Sequence, residues 1–407
     1  MELGGSARDL SYLRTPRAVR DRSLLLFERA LRGESAHFEV HEERLDDVAL
    51  YVARVAREHD VAKEIDAPRH GRMRHFDSDR KPRVAALEAK IRGLSPDERA
   101  RTKIDLVLPS VLLDAGAGDE WAYVEDGVRH ARTEGLAIAT FELFMRGDLA
   151  SDGRSLRADA EGLSRMTSEK IANAFQVTRE NPLVGVEGRA RTLAGLAVAM
   201  RANADVFGPD ARVGHLYDAL KERSVEGTVR ASDVVSMLLA SLSSIWPGVV
   251  SVAGEPLGDA WTHRALGEGA DSVVPFHKLT QWLTYSLVEP LAEGGIRVEG
   301  LSDLTGLAEY RNGGLFLDLG VLSLRDAHAA NRTFTCGDEL VVEWRALTVS
   351  LLDRLAPRAW SLVGRCSADL TPGVVEALTW TAGRQIAYEK REHGAAPLRL
   401  ERDGTVF

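Results

Sequence analysis

Apolar residues recur at helical spacing along most of the chain. In "RAVRDRSLLLFERALR" the pattern is introduced by Thr15-Pro16, a cap residue followed by proline at the first helical position, and it stops at Gly33. A second helix is predicted over "RLDDVALYVARVARE". Helical spacing returns in "RVAALEAKIRGLSPDERARTKIDLVLPSVLLD", where Ser95-Pro96 repeats the cap signal, and again in "GLAIATFELFMRG", "LYDALKERS" and "VVSMLLASLSSIW". Helices dominate from Pro275 to the end. The basic, turn-rich stretch "APRHGRMRHFDSDRKPR" reads as a loop. Only "PGVVSVAGEPLGDAWTH" shows the short alternating runs between Pro and Gly turns that mark strands. The prediction is a mainly α fold: a single helical domain over residues 1–407 with a small β element, a flexible segment at 1–12, and helical lobes over about 13–105 and 106–407.

Polar residues intrude on this pattern in three places. In "VVPFHKLTQWLTYSLVEPL", Phe276, Leu279, Leu283 and Leu287 form a core stripe, and beside it run Lys278, Gln281, Trp282, Tyr285 and Glu289. This second stripe reads either as a half-solvated helix face or as a pocket wall, with rings to stack on a substrate and Lys278 to meet an anion. In "DELVVEWRALTVSLLDRLAP", Glu343 lies between Leu340 and Leu347 on the edge of an apolar stripe, and Arg345 lies on the other flank. A carboxylate so placed is either ion-paired or has a raised pKa. In "LTGLAEYRNGGLFLDLG", Glu309, Tyr310, Arg311 and Asn312 precede Gly313-Gly314 and an apolar series at Leu315, Phe316, Leu319 and Leu322. The two glycines either make a turn or leave the first N–H groups of a helix open to a ligand oxygen.

Composition changes this picture little. The chain has 407 residues, 44% hydrophobic and 28% charged, with a net charge of -9 in which both signs are interspersed. That argues against a nucleic-acid duplex or an anionic membrane as partner. No apolar run is long enough to span a bilayer, and "MELGGSARDL" lacks the apolar stretch of a signal peptide. Two cysteines, Cys336 and Cys366, offer no metal spacing and read as reduced thiols in a cytoplasmic protein. The glycines of "DAGAGDEWAY" do not complete a dinucleotide fingerprint. His70 and His75 in "RHGRMRHFD" are five residues apart, not on one helical face, and lack the acidic partners of a metal motif; "WTHRA", with Asp259, Trp261 and His263, is similarly ambiguous. No Walker loop, nucleophile elbow or HExxH is present.

Several unusual blocks carry a family resemblance. "LRTPRAVR", "LLDAGAGDEWAY", "AFQVTRENPLVGVEGRA", "IWPGVVSVAGEPLGDAW", "VPFHKLTQWLTYSLVEPL", "LTGLAEYRNGGLFLDLGVL", "ELVVEWRALTVSLLDRLAP" and the terminal "DGTVF" are similar to the uracil catabolism protein four family, from about Leu13 to Phe407. The resemblance implies a place in the URC route of pyrimidine degradation, which passes through ribosylated intermediates and releases urea.

A shorter set of blocks resembles queuosine salvage proteins, helical N-glycosidases that cleave a base from ribose 5-phosphate. "PFHKLTQWL" is similar to their F-[HY]-K-x-x-Q-x-L run, "LTGLAEYRNGG" to their L-T-x-x-A-D-Y-R block, and "VVEWRALTV" to their V-E-I-R-G block. The chain departs from them in having Glu309 in place of Asp and Asn312-Gly-Gly in place of Val-Pro.

Together the resemblances imply the helical fold of the queuosine glycosidases and an N-glycoside hydrolase acting on a ribosylated urea or a related intermediate, free or 5′-phosphorylated. Glu309 and Glu343 would be catalytic, because a C1′–N cleavage builds positive charge on the ribose and needs a proton for its leaving nitrogen. Lys278, Gln281, Trp282, Tyr285, Tyr310, Arg311, Asn312, Arg345, Asp259 and Trp261 would bind the nucleoside- or nucleotide-like substrate. That chemistry requires no metal and no cofactor. Two other classes remain open at this point: a metal-dependent amidohydrolase or ring-opening enzyme built on His70, His75 or His263, and a non-catalytic accessory protein of the same pathway.

Overall fold

A computed structural model describes the chain except residues 60–70, 80, 119, 247, 249, 365–370 and 402–407. His70, Cys366 and the terminal "DGTVF" lie outside the described residues. The fold is mainly α. The chain divides into two compact units that are interleaved along the sequence. The first takes the described residues of 1–69, 248–281 and 301–401, and the second those of 70–247 and 282–300. The predicted lobes instead followed one another across residue 105.

In the first unit, the helix Pro16–Leu31 is capped by Thr15, whose side chain accepts the Ala18 N–H, and Gly33 follows in a left-handed conformation. It packs on the helix Glu339–Leu362, against which the helix Leu45–Glu58 also packs. Val19 and Leu26 meet Val342, Ala346 and Val349 in a core completed by Val274, Phe276 and Ala308. Residues 1–12, expected to be flexible, are built into this unit. Glu2–Leu3 pairs in parallel with Ser251–Val252, and the helix Ala7–Leu13 starts from a Ser6–Asp9 capping box. Leu3, Leu10 and Tyr12 pack on Val250, Val252 and Leu257, which anchors the segment.

The strands foreseen around residue 250 are present. Ser251–Val252 pairs with Glu255–Pro256, and Ala260–Thr262 pairs antiparallel with Val273–Pro275. Other two-stranded pairs were not foreseen, such as Phe38–Val40 with Leu322–Leu324. At two or three residues each, they are too short to show alternation.

The second unit contains the predicted helices Pro96–Leu112, Arg132–Met145, Leu216–Arg223 and Ala231–Leu242, with Ser95 capping the first through the Glu98 N–H. It also holds a hairpin, Ala122–Glu125 with Val128–Ala131, where the glycine-bearing stretch reads into strands. The loop predicted around residue 75 contains a short helix, Arg72–Phe76. Arg72 is wholly buried there, pairs with Asp114 and lies over the Phe76 and Trp282 rings.

Candidate functional site: an acidic pair at a helix N-terminus

In the first unit two helices begin under carboxylate caps. The first is Lys278–Glu293. The chain reaches it through the strand Val273–Pro275 and then His277, which takes a left-handed φ of 49°. Asp259 receives that turn. Its carbonyl accepts the N–H groups of Phe276 (2.9 Å) and His277 (3.1 Å), and its Oδ2 accepts the Lys278 N–H (3.1 Å). Arg345 grips the same carboxylate with two bonds of 2.8 Å, donates to the Ala308 carbonyl (3.1 Å) and stacks over Phe276. Trp261 Nε1 donates to Asp259 Oδ1 at 3.0 Å. Burial pushes the Asp259 carboxyl up, but the Arg345 guanidinium and the Trp261 and Lys278 N–H donors together outweigh it and hold the pKa at about 2.

The second helix is Tyr310–Asp318, and its cap is Glu309. The Glu309 Oε1 accepts the Asn312 N–H at 2.6 Å. The glycines are therefore not an open helix entrance. Gly313 and Gly314 lie inside the helix: a Cβ on the first would collide with Trp344 and Thr348, and one on the second would crowd Pro397. The predicted apolar series is also cut short, since Leu319 caps the helix and Leu322 stands on a strand.

Beneath this cap lies a residue the sequence reading passed over. Glu376, on the helix Pro372–Lys390, is wholly buried. Both of its oxygens accept the Asn312 side-chain amide, at 2.9 and 2.8 Å, and Oε2 also accepts the Leu307 N–H at 3.2 Å. Asn312 thus holds two acids, Glu309 by its backbone and Glu376 by its side chain. Burial raises the pKa of both, and the Glu309 charge raises Glu376 further. Backbone donors and the nearby Lys278 ammonium act the other way on Glu309. Lys278 in turn is pushed below its ordinary value by burial, against the pull of Glu309 and Asp259 and with a push from Arg345. Two carboxyls so close favour one negative charge over two, and the larger upward push falls on Glu376. Glu376 had no periodic signal because it sits within "GVVEALTW", an ordinary amphipathic run.

Of the expected binding residues, Lys278, Glu309, Asp259 and Arg345 interact electrostatically as one group, and Trp261 is bonded to Asp259. Several of the others act as braces. The Gln281 amide bonds the Phe276 carbonyl and both the N–H and hydroxyl of Thr305, tying the 301–309 segment to the first turn of its helix. Arg311 stacks on Tyr310 and donates to the Gly394 carbonyl. Trp282 and Tyr285 are buried and belong to the second unit, where Trp282 meets His75 edge-on and Arg72 by its face.

Glu343 belongs elsewhere in the first unit. Two residues from Arg345 on the same helix, it points away from the Asp259 clamp and lies 3.8 Å from His263 Nε2. With His263 and Glu339 it lines a cavity of about 230 Å³ whose walls include neither Lys278 nor Glu309.

His75 and His263 fall in different units. Among the described residues, the three groups close enough together to hold a metal ion are Asp79, Glu125 and His130. Arg83 already donates to both carboxylates and Lys81 bonds Glu125, so that trio is filled by protein cations.

The fold and the site define a mainly helical protein with a buried acid pair and a lysine gathered at two helix entrances. Comparison with known proteins places it more closely. Residues 12–407 match the family described as "Protein of unknown function (DUF1688)". The chain is 38% identical to "Uracil catabolism protein 4" of Lachancea kluyveri, over 98% of this chain and 99% of the relative. It is also 38% identical to "Protein urg3" of Schizosaccharomyces pombe, over 89% of this chain and 90% of that one. The chain belongs to this family, as the sequence blocks indicated.

Proposed function

We propose that the protein is a hydrolase of the N-glycosidase type that acts in uracil catabolism on a ribosylated urea or a related intermediate, free or 5′-phosphorylated. The relative named "Uracil catabolism protein 4" supplies the pathway. The observation that carries the chemistry is the Glu309–Glu376 pair held by Asn312 beside Lys278. Cleaving a C1′–N bond leaves positive charge on the ribose. A fixed carboxylate in a poorly solvated site stabilises that charge far better than water does and takes a proton from the attacking water; the leaving nitrogen gains that proton, so urea departs neutral. Glu309 is assigned this part. Glu376 is wholly buried and is a positioning residue: it fixes Asn312, and its closeness to Glu309 disfavours a second negative charge in the pair. Lys278 faces the ribose or its phosphate. Asp259 and Arg345 hold the two helix entrances in register. Glu343 has no part in this step, because it lies with His263.

The reading is tested by incubating the purified protein with ribosylurea, ribosylurea 5′-phosphate and uridine nucleotides while following release of urea or base. Release of urea from either ribosylurea supports the assignment. Tight binding without turnover of any of them would instead make the protein an accessory of the pathway.

A further inference from the structure

We propose that the cavity walled by His263 and Glu343 is a binding site for an amide edge — a carbonyl oxygen beside an N–H, as in a primary carboxamide, a lactam or an imide. This does not depend on the glycosidase reading. The cavity measures about 230 Å³ and is lined by Leu26, Arg29 and Ser35 as well as His263, Glu339 and Glu343. That is several times the space one water needs.

The charges around it are already matched to one another. Arg29 pairs with Glu34 at 3.3 Å, and Arg264 pairs with Glu339 at 3.0 Å. Besides Arg29 Nε, whose guanidinium is already engaged by Glu34, two wall atoms remain unpartnered, one donor and one acceptor. His263 Nδ1 accepts the Ala265 N–H at 3.2 Å, which leaves Nε2 as the ring's donor. That nitrogen lies 3.8 Å from Glu343 Oε2, beyond hydrogen-bond reach. Neither atom has a hydrogen-bond partner, although His263 is 4% and Glu343 2% exposed. Leaving such groups unpaired is costly, and both are held apart by their own elements. His263 is tied by its backbone to the Ser272 carbonyl (2.9 Å), and Glu343 is fixed on the helix Glu339–Leu362.

An amide edge satisfies both atoms at once. Its oxygen accepts from His263 Nε2, and its N–H donates to Glu343 Oε2. Other small groups fit less well. A trans secondary amide turns its oxygen and N–H to opposite sides. An ammonium group satisfies only the carboxylate, and an anion meets the carboxylates of Glu339 and Glu343 in the wall.

The test uses 2-pyrrolidone, which presents this edge, against N-methyl-2-pyrrolidone, which has lost the N–H, and N-methylacetamide, which is trans. Binding to the intact protein is followed by ligand-observed NMR titration. We expect saturable binding of 2-pyrrolidone, weakened about tenfold or more by N-methylation because a charge-assisted bond is lost. The Glu343→Leu variant should lose that preference while keeping its far-UV circular dichroism. Equal affinity for the two lactams overturns the proposal, and so does a preference that survives in folded Glu343→Leu. Should that variant fail to fold, the wild-type comparison of the lactams still decides. A crystal soaked in 2-pyrrolidone that shows only ordered water between His263 and Glu343 also overturns it.

Discussion

Glu309 shows how a single side chain can escape a sequence rule. Helix caps are normally Ser, Thr, Asp or Asn, and Glu is one methylene too long for the usual geometry. The sequence marked Glu309 as interesting for its neighbours, but gave no reason to place the helix start at Tyr310 rather than after the glycines. Glu376 was invisible for a related cause: one acid in a helix of ordinary pattern reads as a solvated face. Its burial carries a consequence. Burial and the Glu309 charge raise its pKa well above the usual 4.5, so between the unfolded and folded values the folded protein holds a proton that the unfolded chain has lost. Stability is therefore greatest below the unfolded value and falls as pH rises through the folded one. Glu376→Gln, which mimics the protonated acid, should flatten this decline. Urea midpoints measured from about pH 4 to about pH 9 check it, and an unchanged slope would show that Glu376 is ionised in the folded state. Lys278→Met should weaken a 5′-phosphorylated ligand by about 1.5–3 kcal/mol, and the unphosphorylated one much less. Equal weakening of the two would make the lysine structural.

At the scale of elements, the Asp259–Arg345 clamp joins the entrance of the helix Lys278–Glu293 to the helix Glu339–Leu362. Removing one partner of a buried pair strands the other, so Asp259→Asn should cost about 3–5 kcal/mol at neutral pH. The Asp259 carboxyl sits at about 2, below its usual 3.8. Its contribution is present above the unfolded value and is lost as pH falls through the folded one, so wild type and variant should converge in acid. Denaturant titrations of both proteins test this. A second contact is steric. A methyl at Gly383 would lie 2.2 Å from the Arg311 carbonyl oxygen, so Gly383→Ala must push the helix Pro372–Lys390 away from the Glu309 cap. The expected cost is at least about 1–3 kcal/mol, with turnover falling further than stability alone would predict.

The long helices were legible because each combines a cap with a 3.6-residue stripe, as at Thr15-Pro16 and Ser95-Pro96. The Asp259–Arg345 clamp was not, because its partners are 86 residues apart and no local pattern records such a distance.

At the scale of the whole molecule, the interleaving of the two units was equally hidden. Periodicity says where a helix is, but not which distant segment it returns to. The chain leaves the first unit at residue 70 and re-enters it at 248, and the helix Lys278–Glu293 carries residues of both. The mainly α class and the family were readable, since composition, periodicity and the long sequence blocks survive without any knowledge of contacts. If carboxylates do the chemistry, activity should persist after exhaustive dialysis against EDTA, and restoration by added zinc would favour metal-assisted hydrolysis instead. The most direct test of the Glu309 assignment is Glu309→Gln, which keeps shape and a hydrogen-bonding oxygen but removes the charge. The account predicts that substrate affinity survives while turnover falls by about 10²–10³, the scale for one preorganised electrostatic group. A variant with a lowered melting temperature but nearly normal turnover per folded molecule would contradict it and leave Glu309 as a helix cap alone.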